Sequence, residues 1–304
     1  MSDKEHVGFI GVGLMGHGMA KNIVEKGYPL TIMGNRNRVP VDDLVGRGAK
    51  ESTSPKEMAE TCDVIHLCVT SSVQVEDLCR RSDGLLAGVR KGLIVIDCST
   101  ADPTSTLALA GEFAAKGATM IDAPLGMTPK EAETGELNAF VGSDEATLAK
   151  VRPILETWAK NITHMGPVGT GHKAKLINNF FSLGYNALYA EAFTACRKAG
   201  VDMEKFRELI GAGGNNSGMF QRVCNFVVDG DPDAHLFSLN NCLKDIKYFG
   251  QLADDVNMAA PMAGSIKAYY QMAVAQGGGE EHLPMLTDYV SAANGAEKTV
   301  RKPK

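Results

Sequence analysis

A chain of 304 residues is long enough for two domains of ordinary size and a sizeable core. Its 31 lysines and arginines nearly balance 36 aspartates and glutamates, for a net charge of −5, so neither a nucleic-acid surface nor a membrane patch is expected. The seven cysteines are scattered without a CxxC pair and the seven histidines lack metal-ligand spacing, which predicts buried thiols in a reducing, cytoplasmic setting and no metal site. No segment reaches membrane-spanning length, and the basic run from Lys298 to Lys304 reads as a solvated end.

The apolar run Val7 to Ile10 is followed at once by Gly11-Val12-Gly13-Leu14-Met15-Gly16, and then by Met19, Ala20, Ile23 and Val24 at helical spacing. Strand, GxGxxG, helix is a dinucleotide-binding arrangement. Gly11 permits a tight turn, Gly13 lets the backbone approach a pyrophosphate, and Gly16 lets the helix pack on the strand while its N-terminus faces the phosphates. An ordinary glycine-rich turn is the bland alternative; the position directly after the first strand favours the nucleotide site. The second strand, Leu30 to Met33, ends in Gly34-Asn35-Arg36-Asn37-Arg38. With no carboxylate to hold a ribose 2′-hydroxyl and two arginines at hand, Asn35 and Arg36 point to NADP(H), with NAD as the alternative.

Short apolar runs at Asp63 to Cys68, Leu93 to Asp97 and Thr119 to Asp122 suit a parallel sheet, with helices around 55–61, 72–80 and 103–116 between them. Ligands bind beyond the carboxyl ends of such strands, which singles out Val69-Thr70, Ser99-Thr100 and Ala123 to Gly126, although turn chemistry alone would also favour these residues. Phe140 to Gly142 and Ile162 to Met165 read as strands closing a first domain near residue 168. Beyond it the pattern is helical: Met203 to Ile210, Met219 to Val228, Ser238 to Asp254, Met262 to Gln276 and Leu283 to Ala293.

Between the halves, the turn Gly169-Thr170-Gly171 opens a proline-free run to Gly200. Lys175, Asn178, Asn179 and Ser182 recur at i, i+3, i+4 and i+7, one face of a helix, flanked by Ile177, Phe180 and Phe181. A solvated stripe is the bland reading. The apolar flanks argue for a dry face, where an amine must be paired or functional. His172 and His164 rank behind Lys175 as proton donors, His172 because it falls in the turn and points off this stripe. Asp122 reads as a loop-fixing residue rather than a base.

With these pieces in place the sequence resembles the β-hydroxyacid dehydrogenase family, which includes 3-hydroxyisobutyrate dehydrogenases, tartronate semialdehyde (2-hydroxy-3-oxopropionate) reductases and 3-sulfolactaldehyde reductases. Gly8 to Asn22, Asp97-Cys98-Ser99-Thr100, Asp122-Ala123-Pro124, Gly169 to Asn179 and Leu243-Lys244-Asp245 carry the resemblance over almost the whole chain. It implies an α/β Rossmann domain (1–168) followed by an all-α substrate and dimerisation domain (169–304), joined by a long interdomain helix, in a homodimer or homotetramer. It also implies Lys175 as catalytic lysine with Asn178 and Asn179 beside it, Thr100 near the nicotinamide ribose and Lys244 as a cofactor contact.

The sequence departs from the family after Asp-Ala-Pro. Many relatives carry Val-Ser-Gly-Gly there, and the sulfolactaldehyde branch Gly-Arg-Thr; here the run is Leu125-Gly126-Met127-Thr128-Pro129. Gly126, Met127 and Thr128, with Asn178 and Ser182, are the expected substrate contacts, and Met127 replaces the sulfonate-gripping arginine. The chemistry implied is hydride transfer between a nicotinamide and a small semialdehyde or hydroxy acid. Lys175 would be the general acid/base, its ordinary value of ~10.4 lowered by apolar burial, and Asn179 would hold it in place. Imine reduction, and a catalytically silent cofactor-bound interaction protein, are the rival readings.

Overall fold

The computed structural model describes residues 4–302. By its internal packing the chain divides into two compact units, the first reaching Lys175 and the second starting at Leu176. In the first unit, strands β1 (Val7–Ile10), β2 (Leu30–Met33), β3 (Lys50–Glu51), β4 (Val64–Leu67), β5 (Ile94–Asp97), β6 (Thr119–Asp122), β7 (Leu125–Gly126), β8 (Leu137–Gly142) and β9 (Ala159–Gly166) form one sheet. Helices α1 (Gly16–Glu25), α2 (Val39–Gly46), α3 (Pro55–Thr61), α4 (Ser72–Arg80), α5 (Leu85–Gly88), α6 (Pro103–Ala115), α7 (Pro129–Thr134) and α8 (Glu145–Leu155) lie between them in the chain.

The strand order β3-β2-β1-β4-β5-β6 is parallel throughout, the doubly wound Rossmann order; β8 then pairs antiparallel with β6 and β7, and parallel with β9. β4 and β5 are buried at every position because helices cover both faces of the sheet. Alternate side chains feed two cores, Phe9 and Ile96 on one face, Ile10 and Val95 on the other. These strands end in register, Ile10 beside Leu67, Leu67 beside Asp97, and Asp97 beside Asp122. The loops after β1, β4, β5 and β6 therefore share one edge.

The second unit is all-helical: the remainder of α9 (Thr170–Ala199), then α10 (Met203–Gly211), α11 (Gly218–Val227), α12 (Leu239–Asp255), α13 (Pro261–Ala273) and α14 (Leu286–Ala293). Leu176, Leu183, Ile246 and Tyr270 belong to its main core, and Phe193 with Phe220 to a smaller one. No helix of the described residues is long and apolar enough to cross a membrane.

Three expectations are corrected. Leu125–Gly126, read as a loop, is a short strand whose backbone pairs with β8. His172 lies inside α9 rather than in a turn before it, since the helix starts at Thr170. The basic tail is not simply a solvated end. Arg197 reaches Thr299 Oγ1 at 2.7 Å, Thr299 N donates to Asp288 at 2.8 Å, and Lys302 N donates to Gly230 O at 2.8 Å, which ties residues 299–302 across the helices. Val300 within that strap remains exposed.

Candidate active site

The glycine turn is shaped for close approach. Gly11 has φ 99°, and a Cβ there would run into the carbonyl oxygen of Cys68, so both backbone conformation and space demand glycine. A Cβ on Gly13 would meet nothing, leaving open room where a ligand's phosphates would come. The first turn of α1 has no side-chain cap and no acidic residue, so its unpaired N–H groups fit the pyrophosphate of a dinucleotide. Val12 is buried, Met15 is half-buried against the core of this unit, and Leu14 is 70% exposed.

Around the same edge, Val69 N donates to Ser99 Oγ at 3.1 Å and Thr70 bonds Gln74 Oε1 through both N–H and hydroxyl, fixing the loop after β4. Thr100 is half-buried after β5. Asn35 and Arg36 are exposed after β2. The two arginines expected to be at hand differ. Arg38 is held by Glu51 at 2.6 Å and Asp42 at 2.9 Å, and its guanidinium keeps the Glu51 carboxyl below the usual range. Arg36, two residues earlier, is exposed.

At the end of β7 Gly126 is buried, and Met127 directly after it adopts φ 81° with its side chain half-exposed. A left-handed methionine is strained, and such strain concentrates where a site over-determines the backbone. Thr128 is less free than expected to grip an acid. Its hydroxyl and N–H both bond Glu131 in a capping box that starts α7.

The start of α9 is fixed to this edge by buried polar groups. Gly169 N and His172 N donate to the two oxygens of Asp122, at 2.6 and 2.7 Å. The His172 ring, fully buried, donates through Nε2 to Ser99 O (3.1 Å) and pairs through Nδ1 with Thr106 Oγ1 (2.8 Å). Burial pushes the Asp122 carboxyl up, opposed by the nearby His172 ring and the two N–H donors. Lys175 follows one turn along, half-buried. The expected dry apolar surround is not found, because Ile177 is 46% and Phe181 55% exposed, while Phe180 turns away to stack on Phe249 (4.2 Å). At 3.6 residues per turn Ile177, Phe180 and Phe181 lie roughly 120–160° around the helix from Lys175, so none of them flanks the amine.

In the second unit Asn179 is buried and its Nδ2 donates to Asp245 Oδ2 at 2.6 Å. Lys244 Nζ lies 2.9 Å from the other oxygen, an ion pair by distance although not aligned as a hydrogen bond, and 5.3 Å over the Tyr248 ring. Asn178 is exposed, and the Ser182 hydroxyl donates to Asn178 O at 3.4 Å. Asp245 is the organising residue that sequence reasoning passed over. It directly follows Lys244, and an aspartate with Leu243 two positions before and Ile246 one after it on a helix is the available signal for a buried acid. Among the described residues no cluster of His, Cys, Asp or Glu is arranged to hold a metal ion.

Comparison with known proteins adds an independent line. A family model described as the NAD binding domain of 6-phosphogluconate dehydrogenase matches residues 6–166, and one described as NAD-binding of NADP-dependent 3-hydroxyisobutyrate dehydrogenase matches residues 169–288. The chain is 31% identical to 2-(hydroxymethyl)glutarate dehydrogenase of Eubacterium barkeri, over 91% of its own length and 92% of that protein. It is 28% identical to 3-sulfolactaldehyde reductase of Escherichia coli K12, over 97% and 99%. Its fold is similar to a crystal structure of 3-hydroxyisobutyrate dehydrogenase from Salmonella typhimurium, with TM-score 0.83 at 24% identity, covering 94% and 99% of the two chains.

Proposed function

The chain belongs to the β-hydroxyacid dehydrogenase family, NAD(P)-dependent enzymes acting on hydroxyl groups, and from that premise we propose that it interconverts a small 3-hydroxy acid and its semialdehyde with Lys175 as general acid/base. The observation that carries this reading is the buried clamp on α9, which anchors the helix bearing Lys175 at the carboxyl ends of β5 and β6. A nicotinamide held at this edge by the glycine turn would supply the hydride chemistry. Lys175 Nζ gives a proton to the carbonyl oxygen as that oxygen gains charge, and takes it back when the alcohol is oxidised. Asn179, fixed by Asp245, orients the amine or the substrate hydroxyl. Val12, Leu14, Met15, Val69, Thr70, Thr100 and Lys244 are assigned to cofactor binding.

Residues 1–168 are assigned to nucleotide binding and 169–304 to substrate binding and dimerisation. NADP is the favoured cofactor because Arg36 is exposed just after β2 and no acid ends that strand. The substrate's acid group is assigned to Gly126, Met127 and Thr128 with Asn178 and Ser182; 2-hydroxy-3-oxopropionate and 3-sulfolactaldehyde are the leading candidates. Ile177, Phe181, Tyr185 and Leu188 make an exposed apolar stripe along α9, which supports a second copy of the chain as its cover. The near balance of charge and seven unpaired thiols suit a cytoplasmic enzyme.

The test is nicotinamide absorbance with purified protein, NADPH or NADH, and a panel of acid-bearing semialdehydes set against small imines. Turnover confined to semialdehydes supports the proposal. Turnover of imines alone, or of nothing while nucleotide still binds, overturns it. Light scattering of the same preparation reads the oligomer, and Phe181→Lys is expected to dissociate it.

A further inference from the structure

We infer that Asp122 is a positioning residue for the reaction: from strand β6 it supplies the cap that α9 lacks, and so fixes Lys175. This rests on Lys175 being the proton-transfer group. Lys173 N donates to Gly169 O at 3.1 Å, which makes Gly169 the N-cap residue of α9 and His172 the third helical residue. A glycine N-cap has no side chain to offer. In a capping box two donors are satisfied, the N–H of the N-cap residue and that of the third residue. Here both are taken by one carboxylate, Asp122 Oδ1 from Gly169 and Oδ2 from His172, across 47 and 50 residues of sequence. A negative group at a helix N-terminus is further stabilised by the helix dipole.

The surroundings are shaped around that carboxylate. A Cβ on Gly142 would collide with Oδ1, and a Cβ on Gly171 would lie 2.8 Å from Oδ2 and collide with Phe140 O. The helix thus seats against the strands with nothing between backbone and acid. Its rotation is set separately by the His172 ring, bonded to Ser99 O after β5 and to Thr106 on α6. Three elements therefore hold one helical turn, and Lys175 stands three residues after His172. Within one hydrogen-bonded turn a helix is stiff, so the pin sets where the lysine Cα lies. Small misplacements of a reacting group cost rate steeply.

The experiment is a double-mutant cycle on kcat, KM and nucleotide Kd, using Asp122→Asn, Thr106→Val, Lys175→Ala and the two doubles with Lys175→Ala. Asn keeps one acceptor and turns a donor towards an N–H. Asp122→Asn is expected to lower kcat by about ten- to a hundredfold and leave nucleotide Kd within about threefold. Thr106→Val, which removes only a hydroxyl, is expected to lower kcat by about two- to fivefold. In the Lys175→Ala background neither change should slow the enzyme further, because the group being positioned is gone. Losses that multiply in the doubles, or single variants at the parental rate, overturn the proposal. Should Asp122→Asn fail to bind nucleotide, Asp122→Ser and its double with Lys175→Ala are put through the same cycle, with the same outcomes deciding. If Lys175→Ala itself turns over normally, it is the assignment of Lys175 that falls, a result distinct from a normal Asp122→Asn beside a crippled Lys175→Ala.

Discussion

Two histidines of the first unit are equally buried and differ in every other respect. His66, in the middle of β4, stacks on Phe9 (centroids 5.5 Å, planes 5° apart) and meets Trp158 edge-on at 6.1 Å, with neither ring nitrogen hydrogen-bonded. His172 has both nitrogens bonded and its backbone N–H on Asp122. Burial alone therefore does not distinguish a packing residue from a functional one. What distinguishes them is polar wiring: His66 behaves as an aromatic core residue, whereas His172 connects a helix to the ends of two strands.

The most direct way to break this contrast is at the residue the wired turn carries. Lys175→Ala is expected to lower kcat by about 10²–10⁴-fold with little change in nucleotide affinity, read by steady-state kinetics and nucleotide titration. A near-normal rate would leave His172 wired to nothing of catalytic interest.

The next largest effect falls on His66. Burial pushes its imidazole down to about 3 from 6.5, so below pH 6.5 the unfolded chain takes up a proton the folded chain refuses. Stability from this group is complete above 6.5 and is lost as pH falls towards 3. At pH 4.5 the loss is about 2–3 kcal/mol. Urea unfolding at pH 7 and 4.5 should show that loss in the parent and a clearly smaller one in His66→Leu. Equal slopes in both would mean the ring is not sealed from protons.

His172→Phe keeps an aromatic ring but strips both side-chain hydrogen bonds, and should cost about 1–3 kcal/mol in urea unfolding together with a fall in kcat. Loss of stability with kcat unchanged would make His172 a packing residue like His66. The smallest effect is at the solvent edge, where Arg36→Ala is expected to reduce the preference for NADP over NAD by about tenfold in kcat/KM. An unchanged ratio would return the question to other residues of the loop after β2.

Much of this was legible locally. β1, β2 and β6 follow apolar runs residue for residue, and the glycine motif follows directly on the first strand. What escaped had physical causes. α8 carries Pro153 in its interior, which reads as a breaker yet sits near the helix end. α2 opens on Val39-Pro40 directly after the polar loop that follows β2. At the candidate site, periodicity grouped Lys175 with Asn178 and Asn179, but not their separate fates, since Asn178 is exposed and Asn179 is buried against Asp245. The cap on α9 and the strap of residues 299–302 join partners dozens of positions apart, and no window of sequence contains both.

The seat built for Asp122 also limits how this region can vary. A methyl group at Gly142 has nowhere to go while the carboxylate occupies its place. In a library randomised at positions 122 and 142 together, functional clones with a side chain at 142 should be found only where 122 has been shortened. The dependence would run one way: a side chain at 142 needs a shorter residue at 122, whereas 122 can shorten while Gly142 stays, so a survey that mutates one position at a time would score 142 alone as sterically immutable.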